Sequence, residues 1–363
     1  MDKIKKMLGT KLFQNGMWLF ILQIFNTVVP LLTLPYITRV LGTSNYGIYS
    51  LSLNWVTYFQ VIVEYGFGFT GARRVSIEGD DDLQNLYSRI ISARLLLLAV
   101  SYLGMNVLAY VTHVGVQQFV SMNILFLVII GVAFQLTWLF QGKQDMKLIT
   151  IINAVSRLIS VILVFLSVKT EAHLYLYCFC YSVTFIFSAI LGLALSRKKY
   201  GLKVKLCKFK EAIDEIKDGW YLFISQAMSK IFSSVGVTVL GIVASSSIVG
   251  IYSAIYKIPY IMILFFSPVS QALYPYISVK FSESFKKGHQ TVKQVAMYIV
   301  GLFSIGGVLI VLLRDFLISA AFGAAYTEYS NIIIPLVIWM VLSITNNFLG
   351  ISISCSKWTS KRV

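Results

Sequence analysis

Charged residues are scarce in this chain, making up 13% of its 363 residues, against about 25% in an ordinary soluble domain. A soluble fold of this length needs polar residues to cover its surface, so the shortage argues against a soluble globular enzyme and a disordered chain. Negative charge is the scarcer of the two signs, with 15 acidic residues against 31 basic ones. The chain is instead 57% hydrophobic with a mean hydropathy of +0.77, which is typical of a polytopic membrane protein.

Cysteine and histidine are also scarce, with four and three residues. Cys178 and Cys180 stand two positions apart on an apolar run, so on a helix they point about 200° apart. This favours two small apolar residues over a metal pair or a disulfide. The histidines fall in different loops without metal-ligand spacing. The sequence therefore predicts no metal site and no cofactor.

Long apolar runs recur along the chain. A helix that crosses a bilayer needs about 20 apolar residues. The first run, 12–38, carries no charge and is longer than the apolar core of a removable signal sequence, about 7–15 residues. We interpret it as a retained first helix. In all, the sequence predicts ten spanning helices, near residues 12–38, 46–72, 90–112, 114–141, 148–168, 172–196, 219–242, 249–279, 294–313 and 330–353.

Basic residues between the predicted spans gather on one side of the membrane. With the N-terminus in the cytoplasm, the cytoplasmic segments hold 24 of the 31 Lys and Arg residues, eight of them across 197–217. The outer loops then hold only Arg39, Lys169 and Arg314. The positive-inside rule selects this orientation. Most of the +16 net charge is therefore a topology signal, and no nucleic-acid partner is expected.

An internal repeat relates two parts of the chain at a constant offset of 203 residues. The block Gly-Ile-Tyr-Ser at 47–50 recurs at 250–253, and the same register pairs Leu19, Phe20, Ile21 and Gln23 with Leu222, Phe223, Ile224 and Gln226. The first span thus corresponds to the seventh, and both enter from the cytoplasm. This predicts an all-α membrane protein of two six-helix bundles related by a parallel repeat, as in transporters that rock one half against the other.

The predicted bundles divide the chain into residues 1–205 and residues 206–363. The first holds six helices. The second holds about four, because a full repeat requires twelve spans and the sequence shows ten. A truncated chain and a naturally short family member would both account for the two that are lacking.

Four basic residues lie inside predicted spans: Arg94, Arg157, Lys230 and Lys257. A charge at mid-membrane costs about 2.5–3.5 kcal/mol on insertion scales, so it must face a partner or a water-filled cavity. We expect Arg94 to snorkel to the nearby cytoplasmic surface. Arg157 and Lys230, near the middle of their spans, are predicted to line a cationic cavity that binds an anionic group. Lys257 could either join them or snorkel outward.

Uncharged polar residues in the spans follow helical spacing. They include Gln23, Asn26 and Thr27, with Gln226 and Ser229 at repeat-related positions, and Asn153 beside Arg157. Such faces either line the cavity or join helices by hydrogen bonds. Glu64, the one acid in a span, either pairs structurally with one of the cations or takes up H⁺ or Na⁺ for coupling.

Several segments resemble the O-antigen flippases of the polysaccharide exporter family, within the multidrug/oligosaccharidyl-lipid/polysaccharide exporter superfamily. They are the stretches at 41–47 (Leu-Gly-Thr-Ser-Asn-Tyr-Gly), 64–68 with 71–74, 138–142 (Trp-Leu-Phe-Gln-Gly) and 273–278. The resemblance implies twelve spans and movement of undecaprenyl-pyrophosphate-linked oligosaccharide from the cytoplasmic to the periplasmic leaflet of the bacterial inner membrane. It also implies a basic cavity, which Arg157, Lys230 and Lys257 could supply, and contact with other glycan-assembly membrane proteins.

The sequence therefore predicts a flippase that works by alternating access, not an enzyme. A cation-coupled multidrug antiporter of the same superfamily is the first alternative, although organic cations prefer an acidic cavity. A membrane glycosyltransferase or polymerase is the second. Such enzymes typically carry a large outer loop or a cytoplasmic domain, and the longest loop here is roughly 20 residues.

Overall fold

The computed structural model of the chain describes residues 11–78 and 82–360. Within these ranges it consists of α-helices and two short 3-10 helices, Glu171–His173 and Ala324–Ile332, and contains no β-strand. In chain order the α-helices are α1 Lys11–Glu64, α2 Phe67–Glu78, α3 Leu83–Val111, α4 Val116–Phe134, α5 Thr137–Gly142, α6 Met146–Ser167, α7 Leu174–Tyr200, α8 Phe209–Asp218, α9 Trp220–Val243, α10 Ser246–Glu283, α11 Phe285–Leu312, α12 Arg314–Phe322 and α13 Ile333–Ser360.

The first helix contains two of the predicted spans. Helix α1 runs for 54 residues and is interrupted at Gly42, where φ is 69° and ψ is 175°. Glycine adopts this conformation without the steric cost that a Cβ would bring. The break falls between the runs predicted at 12–38 and 46–72, so the two predicted spans are separated where the sequence indicated. Helical structure continues on both sides of Gly42, without a loop between the spans.

Nine helices in the described ranges are long and apolar enough to cross a membrane. The first, Gln14–Ile77, covers the first two predicted spans, and the other eight coincide with the remaining predictions to within a few turns at their ends. They are Leu83–Val111, Val116–Gly142, Met146–Ser167, Glu171–Tyr200, Trp220–Val243, Ser246–Phe266, Phe285–Leu312 and Ala324–Gly350. The prediction of an all-α polytopic membrane protein is confirmed.

The described residues form two compact units. The first contains the described residues up to Thr33 together with Val40–Gly250, and the second contains Leu34–Arg39 with the described residues from Ile251 onward. The predicted division into bundles at 205/206 follows from the sequence repeat and not from packing, and it stays a prediction.

The first unit has its core where α4, α6 and α7 pack together. Small residues allow a close approach there: a Cβ added to Gly131 of α4 would lie 2.5 Å from the Phe185 backbone carbon of α7. Ser160 of α6 donates a hydrogen bond to the Cys180 carbonyl oxygen at 2.7 Å. Cys178 and Cys180 are buried and free, in agreement with their interpretation as small apolar residues. Such small-residue contacts are the usual way in which membrane helices pack.

The second unit packs α11 against α13 through Gly307, where an added Cβ would lie 2.7 Å from Val337 Cγ1. Phe266 of α10 completes this core by contacting Phe303 and Phe348, with ring centroids 5.7 and 5.6 Å away.

Candidate functional site

Arg157 lies half-buried on α6 and faces the first half of α1. Its guanidinium donates a hydrogen bond to the Asn26 carbonyl oxygen at 3.2 Å and lies in electrostatic range of the Tyr181 hydroxyl on α7. Among the described residues it forms no ion pair with a carboxylate. A guanidinium carries five N–H donors, so most of its hydrogen-bonding capacity is left for another group.

A second contact sets the position of α6 against α1. Thr150, two turns before Arg157, donates a hydrogen bond to the Trp18 carbonyl oxygen at 2.9 Å, and the Lys147 ammonium lies 5.8 Å from the Trp18 ring centroid. The residue numbers increase together along both helices. The first and fifth predicted spans therefore run parallel, as the predicted topology requires.

Lys230 is half-buried on α9 and lies in electrostatic range of Glu64, at the end of α1. Glu64 Oε1 accepts a hydrogen bond from Gln60 Nε2 at 2.8 Å, and Arg94 also lies within electrostatic range of it. The structure thus brings the predicted acid near one of the two predicted cavity cations, and Arg157 has a different set of neighbours.

Gln226 stands one helical turn before Lys230 and packs beside the turn that follows α1. A Cβ added to Gly66, where φ is +80°, would lie 3.1 Å from Gln226 Nε2. This amide nitrogen is buried and has no hydrogen-bond partner among the described residues. Ser229, its predicted companion, is exposed. Gln226 therefore offers an unused donor near Glu64, as a residue lining a polar site would.

The remaining predicted lining residues have local partners. Thr27 donates to the Gln23 carbonyl oxygen at 2.9 Å, and the Asn153 amide donates to the Ile149 carbonyl oxygen at 2.8 Å. Asn153 also lines a small cavity beside Gln135, with room for about one water molecule. Their proposed role in lining a substrate cavity stays a prediction, as does that of Asn26, whose carbonyl oxygen holds Arg157.

Lys257 lies in the second unit, on α10. Its side chain is exposed, and the ammonium lies 5.7 Å from the Tyr260 ring centroid. Tyr260 continues a row of rings with Tyr256 and Tyr252, whose successive centroids are 5.5 and 5.9 Å apart. A cation over an aromatic face is a recurrent stabilising contact, so this observation gives Lys257 a local partner and leaves its assignment to the cavity a prediction.

The expectation that Arg94 snorkels to the surface is wrong. Arg94 is 4% exposed and donates hydrogen bonds to three carbonyl oxygens at the end of α4, those of Val132, Ala133 and Gln135, at 3.2, 3.4 and 2.8 Å. The last carbonyls of a helix have no partner within it and carry partial negative charge. Arg94 therefore caps α4 inside the first unit.

Two segments that the predicted repeat relates, around Gly47 and around Gly250, contact each other in the structure. A Cβ added to Gly47 would lie 1.7 Å from the Ser246 carbonyl oxygen, and a Cβ added to Gly250 would lie 2.1 Å from the Thr43 carbonyl oxygen. The offset of 203 residues relates Thr43 to Ser246 and Gly47 to Gly250, so these two contacts are counterparts. Only glycine permits so close an approach of two backbones.

Two hydrogen bonds follow the same symmetry. Ser44 Oγ lies 3.2 Å from Ser246 Oγ, and Ser247 Oγ donates to Thr43 Oγ1 at 2.7 Å. The repeat offset converts one pair into the other. We call this contact the glycine seam, formed by Thr43, Ser44, Gly47, Ser246, Ser247 and Gly250. The contact follows the offset of 203 residues, and the repeat of the two bundles stays a prediction.

A buried ion network on the predicted cytoplasmic side was not found from the sequence. Glu215 of α8 is 2% exposed, accepts hydrogen bonds from Arg74 at 2.8 Å on both carboxylate oxygens and lies 3.3 Å from Arg89 Nε. In the sequence Glu215 is one acid among several in a charged linker. Its partners come from α2 and α3, so a tertiary contact selects it.

Comparison with known proteins assigns the chain to a family. The family model described as "Polysaccharide biosynthesis protein" matches residues 12–281. A protein of Escherichia coli (strain K12) named "Putative O-antigen transporter" is 27% identical over 267 residues, which cover 73% of this chain and 64% of that relative. A protein of the same name from Shigella dysenteriae is 26% identical over 268 residues, covering 73% and 67%.

The chain spans less than two thirds of the length of the Escherichia coli relative. No solved structure matches it significantly. The family match itself extends over more than half of the chain and includes the parts that carry Arg157, Lys230, Glu64 and the glycine seam. This chain, an all-helical membrane protein with cations held inside its spans, therefore belongs to the polysaccharide biosynthesis protein family.

Proposed function

We propose that this protein moves lipid-linked O-antigen oligosaccharide from the cytoplasmic to the periplasmic leaflet of the bacterial inner membrane, and that it is a transporter and not an enzyme. The family match and the names of the two relatives support transport of O-antigen. The polyprenyl-pyrophosphate carrier is what the family resemblance implies, and the route through a cationic cavity and the cytoplasmic N-terminus are our own inferences from the charges.

The observation that carries the proposal is the position of Arg157. It is a cation within a spanning helix, half-buried, with one hydrogen bond to a backbone carbonyl. Taking such a charge out of water is costly unless it meets a partner or water. A transported anion would supply that partner for part of the cycle, which accounts for a cation that pairs with no carboxylate among the described residues.

The chemistry of the side chains suits a pyrophosphate. A guanidinium can bind phosphate oxygens with two parallel hydrogen bonds, whereas an ammonium acts as a point charge. We assign the bidentate role to Arg157 and the supporting charge to Lys230, with Lys257 as a third cation. Gln226, whose amide nitrogen has no hydrogen-bond partner in the part of the chain that the structure describes, would contact phosphate or sugar oxygens.

Glu64 has two candidate roles, a structural partner for Lys230 and a coupling site for H⁺ or Na⁺. Its proximity to Lys230 and Arg94 supports the first, because two neighbouring cations repel a third. In this account Glu64 attracts Lys230 while the substrate is absent, without a direct ion pair among the described residues, and the lipid-linked anion competes with it.

Alternating access requires a contact that closes one side of the membrane and can separate. The glycine seam has the properties of such a contact: it joins repeat-related segments, and its hydrogen bonds are few and involve small side chains. The predicted topology puts it on the periplasmic side. Separation of the seam would open the path outward.

Complementation tests the proposal. In the source bacterium with the gene deleted, the wild-type gene should restore the lipopolysaccharide ladder on a gel. Arg157→Ala and Lys230→Ala should each reduce it strongly, and the double variant should abolish it. Arg157→Lys should restore part of it, because the charge remains and the two-pronged hydrogen bonding is lost.

Lys287→Ala is the matched control, since Lys287 is a basic residue with a 67% exposed side chain outside the predicted cavity. It should leave the ladder unchanged at equal protein abundance in the membrane. A full ladder from the Arg157 and Lys230 double variant would rule out the cationic path. Drug resistance without any change in the ladder would indicate an antiporter instead.

A further inference from the structure

The segment between α7 and α8 is held tightly against α3 although it has no regular secondary structure over 201–208. The Gln84 side chain bonds both backbone groups of Lys203: its Nε2 donates to the carbonyl oxygen at 2.8 Å and its Oε1 accepts from the N–H at 2.9 Å. Ser92 Oγ accepts the Cys207 N–H at 3.0 Å. The backbone of this segment is therefore fixed at both ends.

The helix that follows is anchored as well. Glu215 of α8 is buried between Arg74 and Arg89, and Ala212, one turn earlier, is 1% exposed. The Glu215 carboxylate is therefore already paired with Arg74 and Arg89 inside the protein. Among the described residues, the lysines of the segment before α8 form no ion pair with a carboxylate.

The outward-facing side chains of this segment alternate between apolar and basic. Val204, Leu206 and Phe209 are 48%, 72% and 69% exposed. Apart from the partly buried Cys207, the residues between and beside them are basic and exposed, and no acid occurs from 197 to 210; these basic residues are Lys203, Lys205, Lys208 and Lys210. Three large apolar side chains exposed together on a fixed backbone point to a surface that is covered.

The neighbouring helices indicate what covers it. The segment lies between two candidate spanning helices, Glu171–Tyr200 and Trp220–Val243. Trp220 and Tyr221, at the start of α9, are 51% and 87% exposed, and exposed Trp and Tyr at a span end mark the membrane–water interface. Apolar side chains beside lysines at this level match the acyl chains and the acidic headgroups of a lipid leaflet.

We propose that residues 203–210, which we call the linker strap, form a binding site for anionic phospholipid headgroups of the cytoplasmic leaflet. The four lysines bind the lipid phosphates, and Val204, Leu206 and Phe209 insert among the upper acyl chains. Charge complementarity selects this occupant over neutral lipid. The proposal concerns bulk membrane lipid and does not depend on which substrate the protein transports.

A photocrosslinking experiment tests the site. The full chain, with Phe209 replaced by p-benzoylphenylalanine, is reconstituted in vesicles of equal parts phosphatidylglycerol and phosphatidylcholine and irradiated, and crosslinked lipids are counted by mass spectrometry. We expect crosslinks to lipid with at least about fivefold enrichment of phosphatidylglycerol, which corresponds to the attraction of about one lysine to an anionic surface.

The variant with Lys203→Gln, Lys205→Gln, Lys208→Gln and Lys210→Gln should still crosslink to lipid but at the bulk ratio of the two lipids. The matched control, Lys286→Gln with Lys287→Gln, should keep the enrichment. Because all four strap lysines are exposed and Gln84, Ser92 and Glu215 are untouched, these variants should fold, which gel filtration verifies. A bulk lipid ratio for the wild type, enrichment that survives the four substitutions, or crosslinks to a protein would each overturn the proposal.

Discussion

Two regions of the first unit differ in how they stabilise a cation that lies inside a predicted span. In the apolar 18-residue window of Val116–Gly142, which includes α4, 56% of the residues are buried, whereas in that of Trp220–Val243, which is α9, 6% are buried. In the first region Arg94 is enclosed and makes three hydrogen bonds to carbonyl oxygens. On α9, Lys230 has an acid in electrostatic range, and Arg157, on α6, where 33% of the apolar window is buried, makes one hydrogen bond among the described residues.

The difference shows that depth in the membrane does not by itself reveal what a cation does. Both Arg94 and Arg157 lie inside predicted spans and cost a similar amount to insert. Arg94 recovers much of that cost permanently, from the carbonyls at a helix end, although its Nε is buried without a hydrogen-bond partner among the described residues. Arg157 does so only partly, which leaves it available for a mobile anion. A structural cation should therefore affect folding, and a functional one should affect binding.

Arg94→Ala should produce the largest loss of stability. It leaves three carbonyl oxygens without their charged donor in the packed region, at a cost of about 3 kcal/mol or more. The melting temperature in detergent and the folded yield on gel filtration should both fall. Arg94→Lys should recover part of the loss, because one ammonium can still reach some of the carbonyls. A stable Arg94→Ala protein would remove the distinction between the two regions.

Substituting alanine for a glycine of the glycine seam should lower stability by less than Arg94→Ala does, and only where the added Cβ meets another backbone. Gly47→Ala and Gly250→Ala each place a Cβ within about 2 Å of a carbonyl oxygen, so the backbones must separate, at a cost of about 1–3 kcal/mol. The two changes should be similar in size, since the repeat makes the sites equivalent. The control is Gly16→Ala, at a position that lies on the same helix as Gly47 and where an added Cβ meets nothing within 4 Å.

Gly16→Ala should be neutral or stabilising, by up to about 1 kcal/mol, because alanine favours helix more than glycine does. Thermal unfolding of the three variants in one detergent provides the comparison. Equal melting temperatures for Gly47→Ala and the wild type would mean that the seam does not form as described.

Much of this arrangement could be predicted from the sequence, and the exceptions share a cause. The charge-free run at 12–38 and the repeated Gly-Ile-Tyr-Ser block are local patterns, and they located the spans and the two glycines of the seam. Arg94 was misjudged because its partners, 38 to 41 residues away, belong to another helix. Glu215 was missed for the same reason: nothing in its own neighbourhood distinguishes it from Asp214 or Asp218.

The most direct test of the central claim is whether Arg157 binds the pyrophosphate group. The melting temperatures of wild type and Arg157→Ala would be measured with and without a polyprenyl pyrophosphate, using the matching polyprenyl alcohol as control. Without ligand the free energies of unfolding of the two proteins should differ by less than about 1 kcal/mol, since Arg157 makes one hydrogen bond. Their melting temperatures should therefore be similar. We predict that the pyrophosphate stabilises the wild type and leaves Arg157→Ala no more stable than the alcohol does. Equal stabilisation of both proteins by the pyrophosphate would contradict the account.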